Sequence, residues 1–164
     1  MSDYVFTKGD VVESISIMRE AAQWLADTGN PLWSLDDLNR KSLQNEPDEF
    51  IVMYDGDHNG IATLLLSFHD PFFWPNIPAN TSAFVHKVAI RRKFAGNALT
   101  KHLISFVADI CREKGISCIR LDCDANRKKL CTFYQSMGFS LIKQKQFHTL
   151  KFGTSDVAFF ERNL

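Results

Sequence analysis

VHKVAIRRKFAGNALTKHLISFV, from Val85 to Val107, decides how the rest of the chain is read. Phe84 to Ile90 is rich in β-branched and apolar residues and predicts a strand. Arg91, Arg92 and Lys93 with Ala95-Gly96 form a basic turn, and Leu99, Leu103, Phe106, Val107 and Ile110 then recur at helical spacing. The helix is predicted from Asn97 to Lys114, with Gly115 as its stop. The first amides of such a helix lack intrahelical partners and carry the positive end of its dipole, so with three cations ahead of them they suit a phosphate or pyrophosphate. The same residues also make an ordinary strand-to-helix connection with a solvated charge run, and one glycine does not separate the two readings.

The 164 residues predict one domain, 1–164, with a substantial core. Nineteen basic side chains balance nineteen acidic ones, which argues against a nucleic-acid partner. Cys111, Cys118, Cys123 and Cys131 show neither C-x-x-C nor zinc spacing with histidine, and there is no signal peptide or long apolar run. The expectation is a reduced cytoplasmic protein that binds neither metal nor membrane.

Upstream, Tyr4 to Thr7 predicts a strand, and Val11, Ile15, Met18, Ala22 and Leu25 the buried face of a helix that Gly29 and Pro31 end. Ser34, before Asp36 and Asp37, is read as the N-cap of a shorter helix through Leu38 and Leu43. Glu49 to Tyr54 and Ile61 to Phe68 form a hairpin around a turn in which His58 meets water. Three prolines exclude regular structure from His69 to Asn80, while Phe72, Phe73 and Trp74 put a large apolar surface there. Those rings either cover a substrate pocket, pack on the core, or meet a second copy in a homodimer. Ile116 to Cys123 reads as a buried strand parallel to the one ending at Ile90, Arg127 to Met137 as a helix stopped by Gly138, and Ser140 to Phe147 with Asp156 to Arg162 as closing antiparallel strands.

Val88-Ala89-Ile90, the basic turn, and Asn126-x-x-x-Leu130-x-x-x-Tyr134-x-x-x-Gly138-Phe139 together resemble the GNAT superfamily of acyl-CoA-dependent N-acetyltransferases. The resemblance covers nearly the whole chain. It implies a mixed α/β fold with a mostly antiparallel central sheet, one splayed parallel strand pair and flanking helices. One register of the family's pyrophosphate loop puts Ala95 at the usual Gln or Arg, Ala98 at the central Gly and Thr100 at the closing Gly or Ala; a shifted register reads Lys93-x-x-Gly96-x-Ala98. The resemblance implies acetyl-CoA as cosubstrate, held by Val88, Ala89, Ile90, Lys93, Ala95, Gly96, Asn97, Ala98, Leu99, Thr100, Asn126 and Lys129. It further implies direct acetyl transfer to an amine in a small molecule or peptide, with Tyr134 as proton donor to the departing thiolate.

For a general base the residues themselves point to His86, which strand alternation puts on one face with Val88 and Ile90 and whose imidazole titrates near neutrality. Asp122 and Asp124 offer a second base or an anion that attracts a cationic acceptor. Trp33, Phe73, Trp74 and Asp122 are the candidate acceptor-binding residues. As a lone residue Asn126 reads as a helix N-cap. The altered loop also fits a different class, a GNAT-like module that binds CoA or another ligand without turnover.

Overall fold

A computed structural model describes residues 3–43, 47–96, 98–151 and 153–164. Among the described residues seven strands and four α-helices form a mixed α/β arrangement whose sheet is mostly antiparallel. The chain divides into two compact units, Met1–Ser67 with Val85–Ile110, and Phe68–Phe84 with Cys111–Leu164. Among the described residues no helix is long and apolar enough to cross a membrane.

In the first unit β1 (Val5–Lys8), β2 (Glu49–Tyr54), β3 (Gly60–Ser67) and, from Val85 on, β4 (Ala83–Ile90) lie in that order. Asp10 caps α1 (Val11–Asp27), its carboxylate accepting from the Glu13 amide at 3.2 Å. Ile17, Met18 and Ala22 of α1 pack with Phe50, Val52 and Leu65 of β2 and β3. Ile51 and Met53 point the other way by alternation and are also fully buried. What covers that face is visible at Phe6, which pairs with Met53 in register and stacks at 4.4 Å on Phe106 of α3 (Leu99–Lys114). A helix on each face explains why β3 is buried at every position. One buried polar pair, Ser14 Oγ with Thr63 Oγ1 at 2.6 Å, is satisfied because Thr63 donates onward to the Ile51 carbonyl.

The helix expected from Ser34 through Leu43 is broken in two. A 3₁₀ turn spans Leu35–Asp37, Ser34 makes no side-chain cap, and α2 covers only Arg40–Leu43. Asn39 causes the break: its carboxamide donates to the Asp36 carbonyl at 2.7 Å and accepts from the Ser42 amide at 2.9 Å, starting a new helix in the middle of the old pattern.

In the second unit β7 (Gly153–Asn163) lies between β5 (Cys118–Asp124) and β6 (Ser140–Thr149), antiparallel to both, as expected for the last pair. Trp74, Phe84, Val157 and Phe159 form its core on one face, with Phe73 and Phe147 against them. On the other face Phe160 meets Tyr134 of α4 (Lys128–Ser136) at 6.1 Å. The closing hairpin runs further than the apolar pattern predicts, because its outer half stands in solvent and carries no burial signal.

Candidate active site

In the first unit the site begins at β4. Lys87 has φ of 49°, a left-handed residue inside a strand. The two-residue alternation that put His86 on one face with Val88 and Ile90 is therefore interrupted, which corrects the basis of that expectation. His86, Val88 and Ile90 are half-buried, while Ala89 belongs to the core beneath α1.

The basic turn after β4 divides its cations between two tasks. Arg91 reaches back to α1, donating to the Gly60 carbonyl at 2.7 Å, to Glu13 at 2.7 Å and to Ser16 at 3.0 Å. It is a structural clamp. Glu20 accepts from the Arg92 amide at 3.0 Å, and the Arg92 guanidinium lies 3.8 Å over the Trp24 ring. A short 3₁₀ turn, Arg92–Phe94, follows, with Lys93 exposed.

Gly96 and Ala98 then adopt φ of 86° and 56°, and α3 starts at Leu99. Asn97 lies outside the described residues. Ala98, which the first register puts at the family's central glycine, is held left-handed, a conformation that glycine would adopt without strain. A Cβ built on Gly96 meets nothing within 4 Å, so the approach to the turn is open. Ala95 is exposed, and Leu99 and Thr100 are buried in the first turn of α3. An open, tightly wound turn that delivers the first amides of a 16-residue helix fits a pyrophosphate group.

In the second unit Tyr134 is buried between Phe133, Phe139 and Phe160, with ring centroids 5.9 to 6.1 Å away. Burial, reinforced by the negative potential of Cys123, Asp122 and Cys131, pushes its phenol well above the ordinary tyrosine range. The hydroxyl is thereby held in its protonated form. Asp122, half-buried at the end of β5, is brought into electrostatic range of this ring.

Asn126 is exposed and is not the N-cap of α4; Arg127 is. The Asp124 carboxylate instead accepts from the Asn126 amide at 2.9 Å, an Asx turn that competes with capping, and pairs with Arg127 at 3.8 Å. Lys129 is exposed in the first turn of α4.

The aromatic residues divide between core and surface. Trp74 is 3 % exposed and meets Phe159 edge-on at 5.1 Å, so of the alternatives open from the sequence its ring takes core packing. Phe73 is partly buried, Phe72 exposed, and Trp33 packs partly on the core beneath α1. Sequence reasoning missed Glu13, Glu20 and Trp24 as the residues that hold the basic turn. Their partners lie 71 to 78 positions away for the ion pairs, beyond any spacing rule.

Residues 18–139 match the model of the acetyltransferase (GNAT) family. The uncharacterized N-acetyltransferase YesJ of Bacillus subtilis (strain 168) is 27 % identical over 138 residues, which are 79 % of this chain and 77 % of that protein. A GNAT-family acetyltransferase from Listeria monocytogenes 4b F2365 superposes with a TM-score of 0.76 at 19 % identity, covering 98 % of this chain and 95 % of the other. The ribosomal-protein-S18-alanine N-acetyltransferase of Escherichia coli gives 0.67 at 14 % identity, over 98 % and 94 %. Mixed α/β structure, a strand feeding a helix through an open basic turn, and a buried tyrosine on the next helix agree with these matches, and the chain belongs to the GNAT family of acetyltransferases.

Proposed function

We propose that this protein transfers an acetyl group from acetyl-CoA directly to a primary amine, within a ternary complex and without a covalent enzyme intermediate, through one domain spanning 1–164. The family match supports the single domain, since it draws on both compact units. Acetyl-CoA, the cosubstrate of the family, supplies the activated acetyl thioester. Backbone groups of Val88, Ala89 and Ile90 would hold its pantetheine arm and polarise the carbonyl. Lys93, Gly96, Ala98, Leu99 and Thr100 would hold the pyrophosphate; Asn126 and Lys129 are carried over from the family pattern as further cofactor contacts. Four free thiols support a reducing, cytoplasmic location.

The observation that carries the reading is Tyr134, buried at the family's tyrosine position with its proton retained. A phenol with its pKa raised is a poorer acid toward a thiolate in water. In the same apolar, negatively biased surroundings a thiolate also gains proton affinity, which keeps the transfer matched. His86 would take the proton from the acceptor ammonium, and Asp122 would attract the cation. Trp33 and Phe73 would border the acceptor, with Trp74 supporting Phe73 through their shared contact with Phe159.

The test is CoA-thiol release from acetyl-CoA across a panel of polyamines, amino acids, aminoglycosides and peptide N-termini. Spermidine belongs in it because a spermidine/spermine N-acetyltransferase of Vibrio cholerae shares the fold at 17 % identity. At least one amine should be acetylated, and Tyr134→Phe should slow that reaction by roughly 100-fold. Full activity in Tyr134→Phe toward the same amine would remove the proton-donor role.

A further inference from the structure

We propose that Cys123 and Cys131 form an oxidisable dithiol, a modification site that takes a low-molecular-weight disulfide as its oxidant. Their Sγ atoms lie 3.8 Å apart, both half-buried, one at the penultimate residue of β5 and the other in the first turns of α4. A disulfide holds its sulfurs at about 2.05 Å, so closure asks the two sulfurs to approach by about 1.8 Å. Cys131 Sγ also lies 3.9 Å from the Asp124 carbonyl, which orients the thiol along the strand end where Cys123 sits.

The two sulfurs have different roles. Burial, then the neighbouring Cys131, Asp122 and Asp124, pushes the Cys123 thiol up to about 12, so it is a poor first nucleophile. Cys131 lies in the first turns of α4, where the preceding Lys128 and Lys129 are exposed and give that helix start a positive charge. In the first step the Cys131 thiolate attacks one sulfur of R–S–S–R, that bond breaks, a Cys131–S–S–R mixed disulfide forms and R–S⁻ leaves. The leaving thiolate takes the proton of Cys123, whose sulfur attacks the Cys131 sulfur and expels the second R–S⁻, protonated from water. Two protein thiols are oxidised to one disulfide, and the oxidant is reduced to two thiols. The remaining cysteines, Cys111 and Cys118, are buried.

The site lies beside Tyr134, since both thiols contribute to the potential on that phenol. Its chemistry stands whether or not Tyr134 is the proton donor. The experiment exposes the reduced full-length protein to oxidised glutathione and reads intact mass and tryptic peptides. The expected product is two hydrogens lighter, with the peptide Leu121–Arg127 bonded to the one containing Cys131; dithiothreitol reverses it. Cys131→Ser should show no such linkage. Retention of both thiols, measured by maleimide labelling under conditions that oxidise the urea-unfolded chain, would overturn the proposal. So would a bond joining Cys111 to Cys118 instead. Neither readout needs an acceptor amine, so failure here is separable from failure of the transfer reaction.

Discussion

Replacing Ala98 with glycine should stabilise this protein, the reverse of the usual effect of that exchange. Ala98 is exposed at φ of 56°, where its Cβ crowds its own backbone. An L-residue held left-handed gives up roughly 1–2 kcal/mol. Glycine recovers that strain but loses about 0.4–1 kcal/mol through the greater freedom of the unfolded chain. The balance favours Ala98→Gly by about 0.5–1 kcal/mol, whereas at a right-handed position the same change costs about that much. With a urea slope of about 2 kcal/mol/M, the midpoint should rise by about 0.3 M, read by circular dichroism at equilibrium. Ala98→Val should move it the other way, because a β-branched residue tolerates positive φ worse still. A midpoint lowered by Ala98→Gly would refute the left-handed assignment and, with it, the alignment of Ala98 to the family's central glycine. Calorimetric titration with CoA adds a second readout: the glycine variant should bind at least as tightly as the parent.

Gly60→Ala should destabilise by about 1–3 kcal/mol, since a Cβ there would overlap the Glu13 side chain that Arg91 holds; thermal unfolding measures it, and an unchanged midpoint would show that Glu13 yields freely. Arg91→Ala should cost about 1–3 kcal/mol in urea unfolding, by leaving the Gly60 carbonyl and Glu13 without their charged donor. Trp74→Ala should cost about 3–5 kcal/mol, the penalty of a large core ring; a loss below about 1 kcal/mol would mean that the ring lies at a surface instead. Stability should fall at alkaline pH. Burial raises Cys111 to about 11 from 9.0 and Tyr54 to about 12 from 10.0, and Tyr134 higher still, so the unfolded chain releases these protons first. The folded state then binds more protons from pH 9 upward, and the melting temperature should hold below that and decline above it. A flat profile to pH 11 would contradict the burial of these groups.

The helices were legible because burial repeats along them: Met18 and Ala22 on α1, and Leu103 and Val107 on α3, are buried as their spacing requires. The buried tyrosine was legible only through the family pattern, since a lone tyrosine at helical spacing has no chemical signature. Lys87 and Ala98 hid their conformations for a simple reason: a left-handed φ leaves a mark in sequence when glycine or asparagine adopts it, and neither is present there. Asn39 shows the opposite case, a residue whose side-chain chemistry could have broken the predicted helix but whose competing apolar pattern, Leu38 and Leu43, pointed through it. The clamp of Arg91 on α1 depends on contacts that only the folded chain creates, and the Cys123–Cys131 pair joins a strand end to a helix start, two elements with different periods.

The stacking of Arg92 on Trp24 gives this protein an optical reporter. Trp24 is partly exposed on α1, and a guanidinium lies against its ring within the turn proposed to meet the pyrophosphate. An anion that draws the Arg92 side chain away would uncover the indole to water and shift its emission to the red. Trp33 and Trp74, the other two indoles, lie partly or wholly in apolar cores, so a change localised to Trp24 separates from their background after Trp24→Phe subtraction. Occupancy of the turn could then be followed by intrinsic fluorescence in an unlabelled protein, on the timescale of mixing, before any acceptor is known.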